Sequence, residues 1–97
     1  MKRVPRWCPS CDEKLHVTRM ACSACNTVIE GQFALPLLAR LHEDYQEFVL
    51  QLVLAGGSLK ETARLMDVSY PTVRTWLNEI TERCTELQAE AEEDEAE

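Results

Sequence analysis

The sequence lacks the features of a membrane or exported protein. No apolar run approaches the roughly 18 residues that a transmembrane helix needs. The first seven residues mix basic side chains with proline and contain no apolar stretch typical of a signal peptide. We therefore expect a cytoplasmic protein without a membrane partner. Hydrophobic residues make up 45% and charged residues 28% of the 97, which excludes a wholly disordered chain and allows one or two small domains.

Basic side chains are missing from the C-terminal end, and this absence accounts for the net charge of −7. Residues 1–30 contain five basic and three acidic side chains, and residues 31–85 contain five basic and seven acidic ones. Residues 86–97 contain seven carboxylates and no base. The pattern predicts a near-neutral folded part and a solvated acidic tail over residues 86–97. The net charge neither indicates nor excludes a nucleic-acid partner.

Five cysteines are many for a chain of this length, and four of them form two Cys-x-x-Cys pairs. Cys8 and Cys11 are followed, after ten residues, by Cys22 and Cys25. Two such pairs joined by a hairpin can direct four thiolates at one Zn²⁺ in a closed tetrahedral shell. A segment of about 30 residues also needs such a cross-link, because it cannot bury enough apolar surface to fold unaided. The spacing predicts a four-cysteine zinc ribbon.

Other interpretations of the cysteines are weaker. A rubredoxin-like iron centre uses the same ligands, but its cysteine pairs normally lie further apart and among more aromatic residues. A thioredoxin-like redox pair requires a βαβ context that the sequence does not show. Cys84 lies on a helical apolar stripe and is expected to be a small packing residue. We expect no enzymatic activity, since a four-thiolate zinc shell is closed to water and no Ser/His/Asp or Cys/His arrangement is visible.

Residues 33–85 have the apolar spacing of three helices. The first is predicted to begin near Pro36 and to end at Gly56-Gly57, which can form a C-terminal cap. Its apolar face consists of Leu37, Leu38, Leu41, Tyr45, Phe48, Val49 and Leu52. Leu50 and Leu54 lie on the opposite side. Burial of the helix on two sides by the rest of the domain is the favoured explanation, and a surface for a dimer or for docking of the ribbon is the second.

The second and third helices have the spacing of a helix-turn-helix. Ser58 and Glu61 are predicted to form a capping box, in which each side chain binds the other residue's backbone N–H. The second helix should end near Asp67, where glycine is commoner and aspartate is tolerated. Ser69 is expected to cap the third helix. Ala63 is expected to be the small residue at the point where the two helices cross.

The outward face predicted for the third helix carries residue types that contact bases in the major groove. Arg74 suits guanine, Asn78 suits adenine, and threonine methyl groups suit thymine. Two residues of the second helix, Lys60 and Arg64, can contact phosphates. The candidate DNA-binding residues are Lys60, Arg64, Tyr70, Pro71, Thr72, Arg74, Thr75 and Asn78. Two glutamates beside this face oppose DNA binding, so a helix-turn-helix that contacts protein is the alternative.

Three stretches of the chain, CPSC, CSACNTVIEGQFALPLLARL and GGSLKETARLMDVSYPTVRTWLNEI, carry a family resemblance. Over about residues 5–83 the sequence resembles a bacterial and archaeal family catalogued as a domain of unknown function. Members of that family join an N-terminal zinc ribbon to a helix-turn-helix similar to sigma factor region four. The resemblance implies a small one-component regulator. The sequence departs from the family pattern in the turn at Asp67 and in the acidic tail.

Together these observations predict an α+β protein. We expect a four-cysteine zinc ribbon of β-hairpins over residues 1–32, a three-helix helix-turn-helix domain over residues 33–85, and an acidic tail over residues 86–97. The predicted function is zinc-stabilised DNA binding in transcriptional regulation, with Zn²⁺ as the cofactor. The alternative is an adaptor that docks on the transcription machinery or on another protein. A homodimer is a further possibility, because helix-turn-helix modules usually bind paired half-sites.

Overall fold

The computed structural model describes residues 4–95, and the chain divides into two compact units, Met1–Pro36 and Leu37–Glu97. The first unit contains strands β1 (Val17–Ala21) and β2 (Val28–Phe33). The second contains a 3-10 helix (Leu37–Arg40) and the α-helices α1 (Glu43–Leu54), α2 (Leu59–Met66) and α3 (Tyr70–Glu95). This order confirms the predicted α+β class. The units divide after Pro36, so β2, which ends at Phe33, lies wholly in the first unit.

The first unit, hereafter the ribbon unit, is built on an antiparallel hairpin. Arg19 pairs with Glu30 and Met20 with Ile29 across the two strands. Arg19 Nε lies 3.5 Å from Glu30 Oε1, but both side chains are mostly exposed, so the ion pair contributes little stability. No side chain among residues 4–36 is buried. The hairpin therefore has no apolar core of its own.

The second unit, hereafter the helical unit, does not begin with the continuous helix predicted from Pro36. A 3-10 turn over Leu37–Arg40 is followed by a break, and α1 starts only at Glu43. His42 has an extended conformation and caps α1, because its Nδ1 accepts the Asp44 N–H at 3.1 Å. The Gln46 side chain donates to the Leu41 carbonyl at 2.8 Å and so satisfies the broken backbone. The predicted start of this helix is therefore wrong.

The predicted end of the first helix is confirmed. Gly56 and Gly57 have φ angles of 67° and 87°, in the left-handed region that favours glycine. The Gly57 N–H donates to the Leu52 carbonyl at 2.9 Å, and the Gly56 N–H donates to the Val53 carbonyl at 3.0 Å. This pair of bonds is a Schellman motif, which satisfies the last carbonyls of α1.

The core of the helical unit is formed by residues of its three α-helices and by Leu41, which lies between the 3-10 helix and α1. The buried apolar side chains are Leu41, Phe48, Ala63, Val73, Ile80 and Leu87. Phe48 and Trp76 meet edge to face, with ring centroids 6.1 Å apart. Thr62 is also buried, and its hydroxyl donates to the Ser58 carbonyl at 2.7 Å. The buried polar group is therefore satisfied, and packing against these residues holds the three helices together.

The opposite side of α1 is exposed. In the described part of the chain, the side chains of Leu50 and Leu54 are exposed to solvent. The favoured expectation that this helix is buried on two sides is therefore wrong. Leu38, which was expected on the inner face, is also exposed, because the 3-10 turn removes it from the α-helical register.

The residues predicted to form an acidic tail belong to helix α3 as far as Glu95. Helix α3 runs without interruption through Tyr70–Glu95, and residues 96–97 lie outside the described chain. Leu87 is only 1% exposed, and α3 packs against the 3-10 helix. Arg83 Nη1 lies 3.0 Å from Glu86 Oε2 and 3.9 Å from Glu90 Oε1. The predicted start of the tail at residue 86 is wrong, because the apolar stripe of α3 continues beyond Cys84 to Leu87; Gln88, Glu92 and Glu93 are exposed, as a solvated segment requires.

Candidate metal centre and nucleic-acid interface

The first cysteine pair lies on a tight backbone turn. The Cys8 N–H donates to the Glu13 carbonyl at 2.8 Å, and the Asp12 N–H donates to the Cys8 carbonyl at 2.9 Å. Asp12 has a φ angle of 61°, a left-handed conformation that aspartate tolerates better than most residues. These bonds direct the side chains of Cys8 and Cys11 to the same side of the turn.

The second cysteine pair repeats the same turn. The Cys22 N–H donates to the Thr27 carbonyl at 2.8 Å, and the Asn26 N–H donates to the Cys22 carbonyl at 2.8 Å. Asn26 has a φ angle of 62°, which matches that of Asp12. This repeat was not predicted from the sequence. Its signal is the Asp or Asn directly after the second cysteine of each pair, since these residues favour the left-handed region.

Each pair holds one thiol among hydrogen-bond donors. The Ser10 N–H donates to Cys8 Sγ at 3.4 Å, and this bond, followed by bonds from the Cys11 backbone and thiol, lowers the pKa of Cys8. The Thr27 hydroxyl lies 3.0 Å from Cys25 Sγ. That contact, followed by bonds from the Thr27 backbone and the Cys22 thiol, lowers the pKa of Cys25. Both turns therefore favour the thiolate form that binds metals.

The structure brings the cysteines together as two pairs. Cys8 contacts Cys11, and Cys22 contacts Cys25. Among residues 4–95, no group of three or more His, Cys, Asp or Glu side chains is placed to hold a metal ion. The donor chemistry nevertheless fits zinc, because two such turns offer four thiol groups and each turn contains one, Cys8 or Cys25, whose pKa is lowered. His16, a further candidate ligand by residue type, is exposed.

In the helical unit the helix-turn-helix begins at Ser58. Its hydroxyl accepts the Glu61 N–H at 3.2 Å, which confirms the predicted N-cap of α2. The other half of the capping box is wrong, because the Ser58 N–H donates to the Ala55 carbonyl instead. The Glu61 carboxylate is turned toward Arg64, whose Nε lies 3.0 and 3.1 Å from its two oxygens.

The turn between α2 and α3 is built around Asp67. Its φ of 55° and ψ of 48° are left-handed, as expected for the residue that takes the place of glycine. The Val68 N–H donates to the Ala63 carbonyl at 3.0 Å, and the Asp67 N–H donates to the Arg64 carbonyl at 3.3 Å. These two bonds form a second Schellman motif. Ala63 is buried, in agreement with a close approach of the helices.

The start of α3 is fixed by Ser69. Its hydroxyl accepts the Thr72 N–H at 3.3 Å and lies 2.8 Å from the Thr72 hydroxyl. The Thr75 hydroxyl donates to the Pro71 carbonyl at 3.1 Å, so it is already used within the helix. Of the candidate residues on α3, only Thr72 is half-buried, and the exposed ones are Tyr70, Pro71, Arg74, Thr75 and Asn78.

The two candidate phosphate contacts on α2 differ in whether an acidic side chain already binds them. Both Lys60 and Arg64 are exposed. Hydrogen bonding to Arg64 lowers the pKa of Glu61, and the same bonds raise the pKa of Arg64. Arg64 is therefore engaged by an acidic neighbour. Of the glutamates further along α3, Glu79 is oriented toward α1, because its carboxylate accepts the Tyr45 hydroxyl at 3.4 Å.

Two family models match successive parts of the chain. The DUF2089 zinc ribbon matches residues 8–39, and the domain of unknown function (DUF2089)-HTH matches residues 41–85. The chain belongs to the DUF2089 family. The predicted family and its order of ribbon and helix-turn-helix are thereby confirmed. No curated protein and no solved structure matches the chain. Within residues 4–95, no helix is long and apolar enough to cross a membrane.

Proposed function

We propose that this DUF2089 protein is a zinc-stabilised DNA-binding regulator that places the first three turns of α3 in the major groove. The observation that carries the proposal is the row of exposed side chains Arg74, Thr75 and Asn78 directly after the helix-turn-helix turn. They share one face of the helix and take no part in the core. A guanidinium can bind two acceptors of guanine, and an amide can bind the donor and acceptor of adenine.

Other residues of α2 and α3 also support an orientation in which α3 enters the major groove. Because the Thr75 hydroxyl is bonded to the Pro71 carbonyl, this residue offers its methyl group, which suits the methyl of thymine. Tyr70 is exposed at the N-terminal end of α3, where a helix entering the groove approaches the phosphate backbone. Lys60 is the stronger phosphate contact of the two on α2, since Arg64 must first leave Glu61.

The acidic half of α3 is compatible with DNA binding because of its distance from the groove-facing turns. Glu86 follows Arg74 by twelve residues, which corresponds to about 18 Å along the helix axis. The Debye length at physiological ionic strength is only about 8 Å, so repulsion from residues beyond 86 is largely screened at Arg74. The net charge of −7 therefore overstates the charge that DNA would meet at this surface.

We further propose that Cys8, Cys11, Cys22 and Cys25 hold one structural Zn²⁺. Bound zinc supplies a cross-link between the two cysteine turns. The need for it follows from the ribbon unit, in which no side chain of residues 4–36 is buried. The repeated turns present each pair in the same way, with the residue after the second cysteine in a left-handed conformation.

A selection from random-sequence DNA with the full chain tests the DNA-binding proposal. We expect an enriched sequence, and Arg74→Gln should relax the preference at one position. Arg83→Gln is the matched control, because it removes the same charge from the same helix at a residue paired with Glu86. Lys60→Gln should weaken binding to all sequences alike and reduce the salt dependence. Absence of DNA binding even at low salt would refute the proposal.

A further inference from the structure

The four cysteines of the ribbon unit are accessible to solvent. Cys11, Cys22 and Cys25 are exposed, and Cys8 is half-buried. No side chain among residues 4–36 is buried, so this unit has no apolar layer that could shield sulfur from small solutes. Cys84 differs from them, because it is half-buried and packs against the core of the helical unit. A small oxidant in solution can therefore reach the proposed zinc ligands.

Each cysteine turn also places its two thiols in contact. The Cys8 thiol is hydrogen-bonded to the Cys11 thiol, and the Cys25 thiol to the Cys22 thiol. In both turns the cysteines are three residues apart, and the residue after the second cysteine donates its N–H to the carbonyl of the first. Such a turn keeps the two Cα atoms within about 7 Å of each other, close to the separation that a disulfide spans. Each turn can therefore close a disulfide with little movement of its backbone.

We infer that the ribbon unit is a peroxide-responsive switch, in which Cys8–Cys11 and Cys22–Cys25 become disulfides and the metal is lost. The inference rests on the proposed zinc site, because metal binding holds the four cysteines as thiolates, the form that attacks oxidants. The oxidant that the inference requires is hydrogen peroxide or another small peroxide.

The oxidation of each turn proceeds in two steps. One thiolate attacks the O–O bond of hydrogen peroxide, which gives a sulfenic acid on that cysteine and releases hydroxide. The second thiolate of the turn then attacks the sulfenic sulfur, forms the S–S bond and displaces a second hydroxide. Two electrons pass from the pair of cysteines to one peroxide, and two protons from solvent convert the hydroxides to water.

The disulfides cannot replace the metal as a cross-link. Each disulfide joins two residues of the same turn, whereas the proposed zinc joins the two turns to each other. A unit in which no side chain of residues 4–36 is buried then loses its main source of stability. The helical unit keeps its own apolar core. Oxidation should therefore unfold the ribbon unit alone, and a thiol reductant with added zinc should restore it.

The test treats the zinc-loaded, full-length protein with excess hydrogen peroxide. We expect the zinc content to fall from one per chain to near zero, while Cys84 remains open to alkylation. Trypsin cleaves after Lys14 and Arg19, which lie between the two cysteine pairs. Disulfides within the turns therefore give two separate peptides, each lighter by two hydrogens, and disulfides between the turns give one linked product. A thiol reductant with zinc should return the amide spectrum of residues 4–36.

The outcomes distinguish this inference from the zinc proposal. A purified chain that cannot be loaded with zinc would contradict the zinc site and the switch together. A loaded chain that keeps its zinc under excess peroxide would overturn the switch alone. Linked peptides, or sulfinic acids that the reductant cannot reverse, would also overturn it. Cys84→Ser is the control and should lose zinc at the same rate, and a tenfold slower loss would mean that Cys84 is the attacking thiol.

Discussion

Among residues 37–93 of the helical unit six apolar side chains are buried, whereas in the ribbon unit no side chain of residues 4–36 is buried. The ribbon unit is instead organised by backbone hydrogen bonds around the two cysteine pairs. Hydrophobic burial is the main favourable contribution to folding, so a unit without it needs another source of stability. We therefore expect the ribbon unit to depend on its metal and the helical unit to be stabilised by packing.

The largest effect is expected from removing a proposed zinc ligand. Cys11→Ser should prevent tight zinc binding and disorder the ribbon unit, because three thiolates cannot close the tetrahedral shell. Cys84→Ser is the control, since Cys84 packs at the edge of the helical core and lies outside both pairs. Zinc content per chain, measured on the purified protein, should fall from one to near zero only in Cys11→Ser. Equal zinc content in both variants would contradict the ligand assignment.

The next largest effect tests whether the helical unit extends beyond residue 85. Leu87→Ala should lower the free energy of unfolding by about 2–5 kcal/mol, because it leaves a cavity at a fully buried leucine. Leu54→Ala removes the same atoms from an exposed leucine and should change the free energy by less than about 0.5 kcal/mol. Urea denaturation measures both. Similar small effects would mean that the C-terminal part of α3 does not pack on the core.

A smaller effect is expected at the helix crossing. Ala63→Leu should destabilise the helical unit by about 1–3 kcal/mol, because three extra carbons must enter a packed site. Ala89→Leu makes the same change at an exposed position of α3 and should be close to neutral. Thermal unfolding of both variants gives the comparison. If Ala63→Leu is as stable as Ala89→Leu, the close packing at the helix-turn-helix is wrong.

The smallest effect concerns the cap of α2. Ser58→Ala should cost about 1 kcal/mol of unfolding free energy, because the Glu61 N–H loses its acceptor. Glu61→Gln should cost less, since its carboxylate bonds Arg64 and not the Ser58 N–H. Denaturant unfolding of the two variants distinguishes them. A larger loss for Glu61→Gln would indicate that the full capping box forms in solution.

The features that sequence predicted correctly depend on short-range signals. Gly56 and Gly57 end α1, Ser58 caps α2, and Asp67 forms the turn, because each conformation depends on the residue type at that position. The break before α1 was missed since His42 is not a preferred N-cap residue, and its role depends on the Asp44 N–H within reach of Nδ1.

The C-terminal part of α3 was missed for a different reason. Its many carboxylates indicated a solvated tail, although alanine and glutamate are strong helix formers. Leu87 follows Cys84 by three residues and so continues the apolar stripe, which is the signal that charge counting overlooked. Its burial depends on packing of α3 against the 3-10 helix, and residue spacing alone does not specify that contact.

The most direct test of the contrast between the two units is an amide-resolved chelation experiment on the full-length, zinc-loaded protein. A zinc chelator is added while the amide spectrum of every residue is followed. We expect the signals of residues 4–36 to collapse to unfolded positions, while those of residues 43–95 keep their shifts and their protection from exchange. Loss of the helical signals together with those of the ribbon, or a ribbon spectrum that the chelator leaves unchanged, would contradict this expectation.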